Sequence, residues 1–404
     1  MKSDNEKVFY ASLGEYADVI DPHPSHRAPE EVADGYPFLG IGDIDYFGTA
    51  AFDKVRHVDV SVIEDHEKSY IIDDKTIGYA KMGNTIGKIV SFPDRSKHRY
   101  AISPALSIIN PKPNINPWYL RAVVESYEFW GHVNGKITGS TRPSIGIQQL
   151  RNVPIPIFPN EIQNIIGEIW KVIYDKISLN MKINENLELQ AQAIFIDLFI
   201  TNAKPEWKMG TISDLGNVVG GGTPSKKVEE YYTNDGIAWI TPKDLSNDKS
   251  KFITHGETDI TDLGLAKSSA TLMPRGSVLF SSRAPIGYIA IADGQVSTNQ
   301  GFKSIVPFDN VGTAYVYYFL KENLSAIENV ASGSTFKEVS GGTMKNFPAV
   351  IPDDDTLAKF KQFCSPLLEQ QRALEYENRY LASLRDTLLP KLMNGEIDVS
   401  EIKI

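Results

Sequence analysis

Leu150-Arg151-Asn152-Val153-Pro154 returns as Met344-Lys345-Asn346-Phe347-Pro348, 194 residues further along the chain. Gly139-Ser140-Thr141 returns at the same offset as Gly333-Ser334-Thr335, and Ile86-Gly87 pairs with Ile286-Gly287 at an offset of 200. A long amphipathic stretch follows each copy. The period far exceeds the roughly 20–50 residues of solenoid units, so it marks a duplicated domain.

Four segments follow from this. Residues 1–158 form the first module, 159–204 the first long helix, 205–352 the second module, and 353–404 the second long helix with a C-terminal tail. Tyr70-Ile71-Ile72, Ile86–Val90 and Ala105–Ile109 read as strands in the first module, with a helix near Trp118–Trp130. In the second, Ile237–Ile240, Ser277–Phe280 and Ile286–Ala292 read as strands, and Tyr315–Leu324 as the corresponding helix.

Phe360, Leu367, Leu374, Leu381 and Leu388 recur every seven residues, and Ile166, Ile173, Asn180, Leu187 and Ile194 carry the same phase in the first copy. A matched heptad seam in both copies favours the helices pairing with each other, although two amphipathic helices packed on separate cores would share the pattern. Pro159-Asn160 and Pro352-Asp353 are helix-start chemistry, and each helix should run about 37–39 residues, or roughly 55–60 Å. Pro366 interrupts the second pattern, which predicts a kink or restart there. Asn180 would fix register at some cost in stability, or mark a hydrated gap in the seam. The expected fold class is α+β: two similar strand-rich modules separated by two long antiparallel coiled-coil helices, related by a pseudo-twofold axis.

The net charge of −10 disfavours strong, unaided nucleic-acid binding. Its distribution softens that conclusion. Residues 160–203 carry six acids and three bases and residues 353–404 ten acids and seven bases, so the helices hold more than half of the excess. The single cysteine, Cys364, excludes an intramolecular disulfide and a Cys-cluster zinc site. With no apolar run of about 18 residues and no apolar leader after Met1, a cytoplasmic protein is expected.

Catalytic signatures are missing. Gly220–Lys226 resembles a phosphate loop, but Pro224 breaks the Gly-Lys-Ser/Thr order that a Walker A motif needs. Gly40-Ile41-Gly42 is a bare GxG, best read as a turn. Neither Asp21-Pro22-His23-Pro24 nor Asn116-Pro117-Trp118 supplies the Pro-Pro-aromatic loop of an amine methyltransferase. Pro93-Asp94 and Pro352-Asp353 lack the spaced acid and lysine of a nuclease, and His23 and His26 read as a polar loop. No catalytic or metal-binding residue is assigned.

Polar loops at strand ends hold the side chains that DNA readout needs: Arg and Lys for guanine or phosphate, Asn and Gln for adenine, Ser and Thr for either. In the first module the candidates are Lys81, Asn84, Arg99, Ser140, Thr141 and Arg142. In the second they are Thr223, Ser225, Lys226, Lys243, Ser282, Arg283, Asn299, Gln300, Ser334, Thr335 and Lys337. Ordinary surface loops have the same composition, so the paired Gly-Ser-Thr loops, each with a base just after, stand out from the rest.

The C-terminal run Leu384-Arg385-Asp386-Thr387-Leu388-Leu389-Pro390-Lys391-Leu392-Met393-Asn394-Gly395-Glu396-Ile397 resembles the specificity subunit of type I restriction–modification systems. Gly221–Ser225, Thr241–Leu245, Asn186-Leu187 and Ala191–Phe195 carry the same resemblance, while the first module has no Gly-Gly-Thr-Pro loop. The resemblance implies two target recognition domains, one per half of a bipartite duplex DNA sequence, with the helices as a ruler between them. It further implies docking to methyltransferase (M) subunits and a restriction–translocation (R) subunit, with S-adenosylmethionine, ATP and Mg on those partners and no cofactor here. Three other readings fit the residues: a specificity subunit of a fused, type IIB-like restriction–methylation enzyme, a standalone two-domain enzyme, and a coiled-coil connector that binds only proteins.

Overall fold

Short strands bounded by turn residues close into the same pattern twice. In the first copy Phe9–Ser12 pairs antiparallel with Pro154–Ile157, which brings together the two ends of the module. An antiparallel sheet runs in the order Ala17–Ile20, Leu106–Pro111, Ile77–Ala80, Ile89–Val90. A smaller sheet holds Tyr36–Leu39 between His57–Val58, antiparallel, and Ala101–Ile102, parallel. The computed structural model describes residues 8–23, 27–139, 141–333, 337–394 and 396–397.

The second copy repeats each pairing. Lys208–Thr211 lies against Pro348–Ile351, and the larger sheet runs Gly216–Gly220, Lys303–Pro307, Val278–Ser282, Ile286–Ala292. Phe252–Ile253 adds a parallel edge strand. Ile237–Ile240 again sits between an antiparallel neighbour, Asp259–Ile260, and a parallel one, Val296–Thr298. Single hydrogen bonds recur as well: Leu13 N donates to Val153 O at 2.9 Å, and Ile212 N to Phe347 O at 3.0 Å.

The first module's helix is two helices, Pro117–Val124 and Tyr127–Asn134. Asn116 caps the first through Trp118 N and Tyr119 N, with Pro117 at its first position, and Ser126 caps the second through Phe129 N. Their counterparts are Thr313–Glu322 and Leu324–Asn329. Gly87 (φ +89°) and Gly287 (φ +96°) sit at matching turns. A Cβ on Gly87 would fall 2.3 Å from the Trp130 ring, and one on Gly287 would fall 2.5 Å from Leu324 Cδ1, so both turns need glycine. Tyr70-Ile71-Ile72 forms no strand; Tyr70 and Ile72 are buried as anchors of a loop while Ile71 is exposed.

The long helices are Asn160–Ile196, 37 residues, continued by a wider turn at Asp197–Thr201, and Asp354–Met393, 40 residues. Asp353 caps the second: one carboxylate oxygen accepts from Thr356 N at 2.9 Å, and the other accepts from Lys204 Nζ and Trp207 Nε1 at 2.7 and 2.6 Å. Pro366 causes no break. It removes one helical hydrogen bond, and burial of Phe360, Cys364 and Leu368 around it carries the helix through. None of the described helices is long and apolar enough to cross a membrane.

The chain divides into two compact units, Met1–Ser178 with Tyr380–Ile404, and Leu179–Arg379. The division cuts both long helices instead of following their ends, so each unit is one module with a part of each helix. Within Leu179–Arg379 the helices run antiparallel: Asn180 meets Asn378, Gln371 Nε2 donates to Asn184 O at 3.1 Å, and the Phe195 and Phe360 rings lie 5.8 Å apart. Within the other unit, the Arg385 guanidinium lies 5.8 Å from the Trp170 ring, and Ile166 and Trp170 share a core with Leu389, Leu392 and Met393.

Of the heptad positions, Ile166, Ile173, Asn180, Leu187 and Phe360 are buried. Ile194, Leu367 and Leu388 pack partly buried against the unit cores, and Leu374 and Leu381 are half-buried. The buried stripe of the second helix steps by three and four through Leu357, Phe360, Cys364, Leu368 and Gln371, so it faces a module as well as the other helix.

Candidate nucleic-acid interface

In Leu179–Arg379, hydrogen bonds gather loops distant in sequence at one end of the larger sheet. Ser282 N and Oγ both donate to Gly301 O, at 2.7 and 3.1 Å, and Val339 N donates to Ser282 O at 3.0 Å. Gly222 N donates to Thr298 O at 2.9 Å, and Trp239 Nε1 to Gly222 O at 2.9 Å. Thr223 Oγ1 donates to Gln300 Oε1. Asn299 Oδ1 accepts from Gly301 N at 2.8 Å, and its own N–H reaches Ile240 O. The sequence candidates of five separate loops therefore form one surface.

Their side chains are differently placed on it. Ser225, Lys226, Lys243, Gln300 and Lys337 are exposed, and Thr223, Arg283 and Asn299 partly so. Ser282 is fully buried and contributes backbone geometry. Lys243 pairs with Glu257 at 2.6 Å, and that pairing raises its pKa. Two residues that the sequence reading passed over complete the surface. Glu338 accepts from Arg283 Nη1 at 3.5 Å and from Lys303 Nζ at 3.4 Å. Each follows a candidate, Glu338 after Lys337 and Lys303 after Gln300, but an acid gave no reason to expect a role in DNA contact, and Lys303 opens a strand instead of lying in a polar loop. Ser334 and Thr335 lie outside the described residues.

The other unit builds the same frame with fewer polar tips. Lys81 N donates to Ala105 O at 2.8 Å, Ile145 N to Lys81 O at 2.9 Å, and Gly83 N to Pro143 O at 2.8 Å. Thr138 and Ser144 exchange two backbone bonds at 2.9 Å, as Ser332 and Glu338 do at 3.1 and 2.9 Å in the second copy. Asn84, Thr141 and Arg142 are exposed at this end, and Arg142 Nη2 lies 3.7 Å from Met82 Sδ. Ser140 lies outside the described residues.

Two candidates are committed elsewhere. Lys81 is buried, with its ammonium 2.5 Å from Asp21; burial lowers its pKa against the pull of that carboxylate. Arg99 donates twice to Glu67, at 3.0 and 2.7 Å, and lies over the Tyr36 ring. Among the described residues, no group of three or more His, Cys, Asp or Glu side chains is placed to hold a metal ion.

The comparisons with known proteins agree with this doubled frame. Residues 24–189 and 204–375 each match the type I restriction modification DNA specificity domain. The specificity subunit of the type I restriction enzyme MjaIX from Methanocaldococcus jannaschii is 39% identical over 172 residues, which take in 41% of this chain and 40% of that one. The HindI specificity subunit of Haemophilus influenzae is 24% identical over 441 aligned positions, covering 89% of this chain and 94% of its own. Among solved structures, the type I system S subunit from M. genitalium shares the fold with a TM-score of 0.56 at 13% identity, over 97% of this chain and 98% of that chain. Two matched domains, the doubled strand order and the antiparallel helices together place the chain in the type I restriction–modification specificity subunit family.

Proposed function

We propose that this chain is the DNA-reading subunit of a type I complex, each unit taking one half of a bipartite duplex target through its loop surface. The supporting observation is the shared frame with unshared tips. Equivalent backbone bonds fix both loop surfaces, while the side chains carried on them differ, as two readers of unlike half-sites require. The long helices set the spacer between the halves and dock methyltransferase subunits; a restriction–translocation subunit joins for cleavage. Methyl transfer, with S-adenosylmethionine, and ATP- and Mg-dependent cleavage reside on those partners.

Exposed Leu189 and Ile196 on the first long helix, with Ile200 in the wider turn that continues it, form an apolar stripe which suits docking by protein. The acidic helices leave the basic grip on DNA to the partners. The test is a map of methylated bases in cells carrying the complex, before and after residues 1–158 are exchanged for another module. One half of the methylated sequence should change while the other stays; a change in both halves, or in neither, would refute the reading.

A further inference from the structure

We propose that Arg283 reads a guanine in the half-site taken by Leu179–Arg379, with Glu338 and Lys303 holding it for that contact. The inference rests on the DNA-reading function proposed above and gives it a base. Ser282 and Lys81 occupy the same node of the frame, since each donates to the strand-end carbonyl (Gly301 or Ala105) and accepts from the returning loop (Val339 or Ile145). The residues that follow, Arg283 and Met82, are therefore counterparts. At this matched position one unit carries a cationic side chain and the other an apolar one.

Three features single out Arg283 from the other bases. Ala284, next to it, is the only described residue besides glycine with positive φ, at +49°. That conformation is costly for a residue with a Cβ, and such strain clusters at sites that hold a ligand. Next, Glu338 holds only Nη1, which leaves Nε and Nη2 without a protein partner among the described residues. Finally, Arg283 lines a cleft of about 670 Å³ with Pro285, Ile286, Asn329, Lys337 and Glu338, space for an incoming group.

The carboxylate decides between phosphate and base. Glu338 repels a phosphate beside Arg283 and cancels one of the two positive charges of Arg283 and Lys303, so the braced guanidinium is a weaker phosphate anchor than an unpaired basic side chain. A neutral base edge suffers no such repulsion. Two parallel N–H groups match guanine, whose major-groove edge offers O6 and N7 as acceptors; adenine would set its N6 amino donor against them. With its side chain about 38% exposed and braced from behind, Arg283 pays less conformational entropy on contact than a free surface arginine would. Met82 can make no such pair, so the other half-site carries no guanine requirement at this place.

The experiment maps methylated sites for the whole complex with its methyltransferase subunits, carrying wild type, Arg283→Met or Arg283→Gln. Arg283→Met should relax one guanine position in one half-site, cutting discrimination there by roughly 5- to 150-fold, with the other half-site unchanged. Arg283→Gln offers one donor and one acceptor, the pattern that matches adenine N6 and N7 and not guanine O6 and N7, so it should relax the same position or shift it towards adenine, and it serves if the methionine variant fails to fold. Full base preference retained in either folded variant would overturn the proposal. So would uniform loss of methylation with no single position relaxed, which is the mark of a phosphate contact. A wild-type map without two separated half-sites would instead refute the underlying function, independently of Arg283.

Discussion

Asn180 Nδ2 donates to Asn378 Oδ1 at 2.9 Å, an amide-to-amide bond from one long helix to the other inside Leu179–Arg379. The same amide nitrogen reaches Glu377 Oε2 at 2.8 Å, and Asn180 is fully buried. A buried amide with specific partners disfavours a one-turn slip, which would leave it facing apolar side chains. Asn180→Ala should cost about 2–3 kcal/mol, two hydrogen bonds and a small cavity, read by denaturant unfolding. Replacing Asn180 and Asn378 together by Leu should restore stability to at least the wild-type level while allowing mixed registers. Cysteine crosslinking along the helices would expose that mixture as more than one product, and a single product would show that the amide pair does not set register.

Glu188 lies at a buried junction of both helices and the module. It accepts from Lys251, from Lys321 at 2.5 Å and from Tyr318 at 2.8 Å, while Lys251 also donates to Gln371 at 2.7 Å. Burial pushes the Glu188 carboxyl up, yet the two ammonium groups win and hold it at about 2. A carboxyl with a depressed folded pKa stabilises fully above its unfolded value, near 4.5, and loses that contribution as pH falls towards 2. Glu188→Gln should destabilise by about 3–5 kcal/mol near neutral pH, because it strands Lys251. That gap should shrink between about pH 4.5 and 2. Taking the difference from wild type isolates Glu188 from Glu375, whose carboxyl burial holds above the ordinary range. A gap constant with pH would exclude Glu188 as the titrating group.

The glycine turns give a test of the duplication itself. Gly87→Ala and Gly287→Ala each put a Cβ at a positive φ and into a packed side chain, Trp130 in one unit and Leu324 in the other. Each should lose roughly 1–3 kcal/mol. Limited proteolysis should localise the damage to residues 1–158 for the first and 205–352 for the second. Equal sensitivity of both modules to either change would mean that the units do not unfold separately.

How far the sequence could carry the fold depends on what each residue reports. The 194-residue echo reveals the duplication because frame residues such as Val153 and Phe347 are buried at equivalent bonds and vary little in type. Helix starts are legible at Pro159-Asn160 and Pro352-Asp353 because helix-start chemistry acts locally. Lys81 was not legible, since only the folded chain brings Asp21 beside it, and a lysine in a polar loop otherwise looks solvent-facing. Tyr70-Ile71-Ile72 misled for a related reason: a short apolar run anchors a loop as well as a strand. Glu338 escaped because its value lies in Arg283 and Lys303, which it meets only across the loop surface.

Salt dependence separates the lysines of that surface. Each lysine that neutralises a phosphate steepens the fall of log K with log salt by about 0.9. Lys337 is exposed and has no ion pair among those described, whereas Lys243 is paired with Glu257. In the assembled complex Lys337→Ala should therefore flatten the slope by about 0.9, measured by DNA binding between low and physiological salt. Lys243→Ala should change it less, because its charge is already offset before DNA arrives and breaking the pair opposes the gain. Equal slopes for wild type and Lys337→Ala would remove Lys337 from the phosphate contacts and leave it to Arg283's neighbourhood in the cleft.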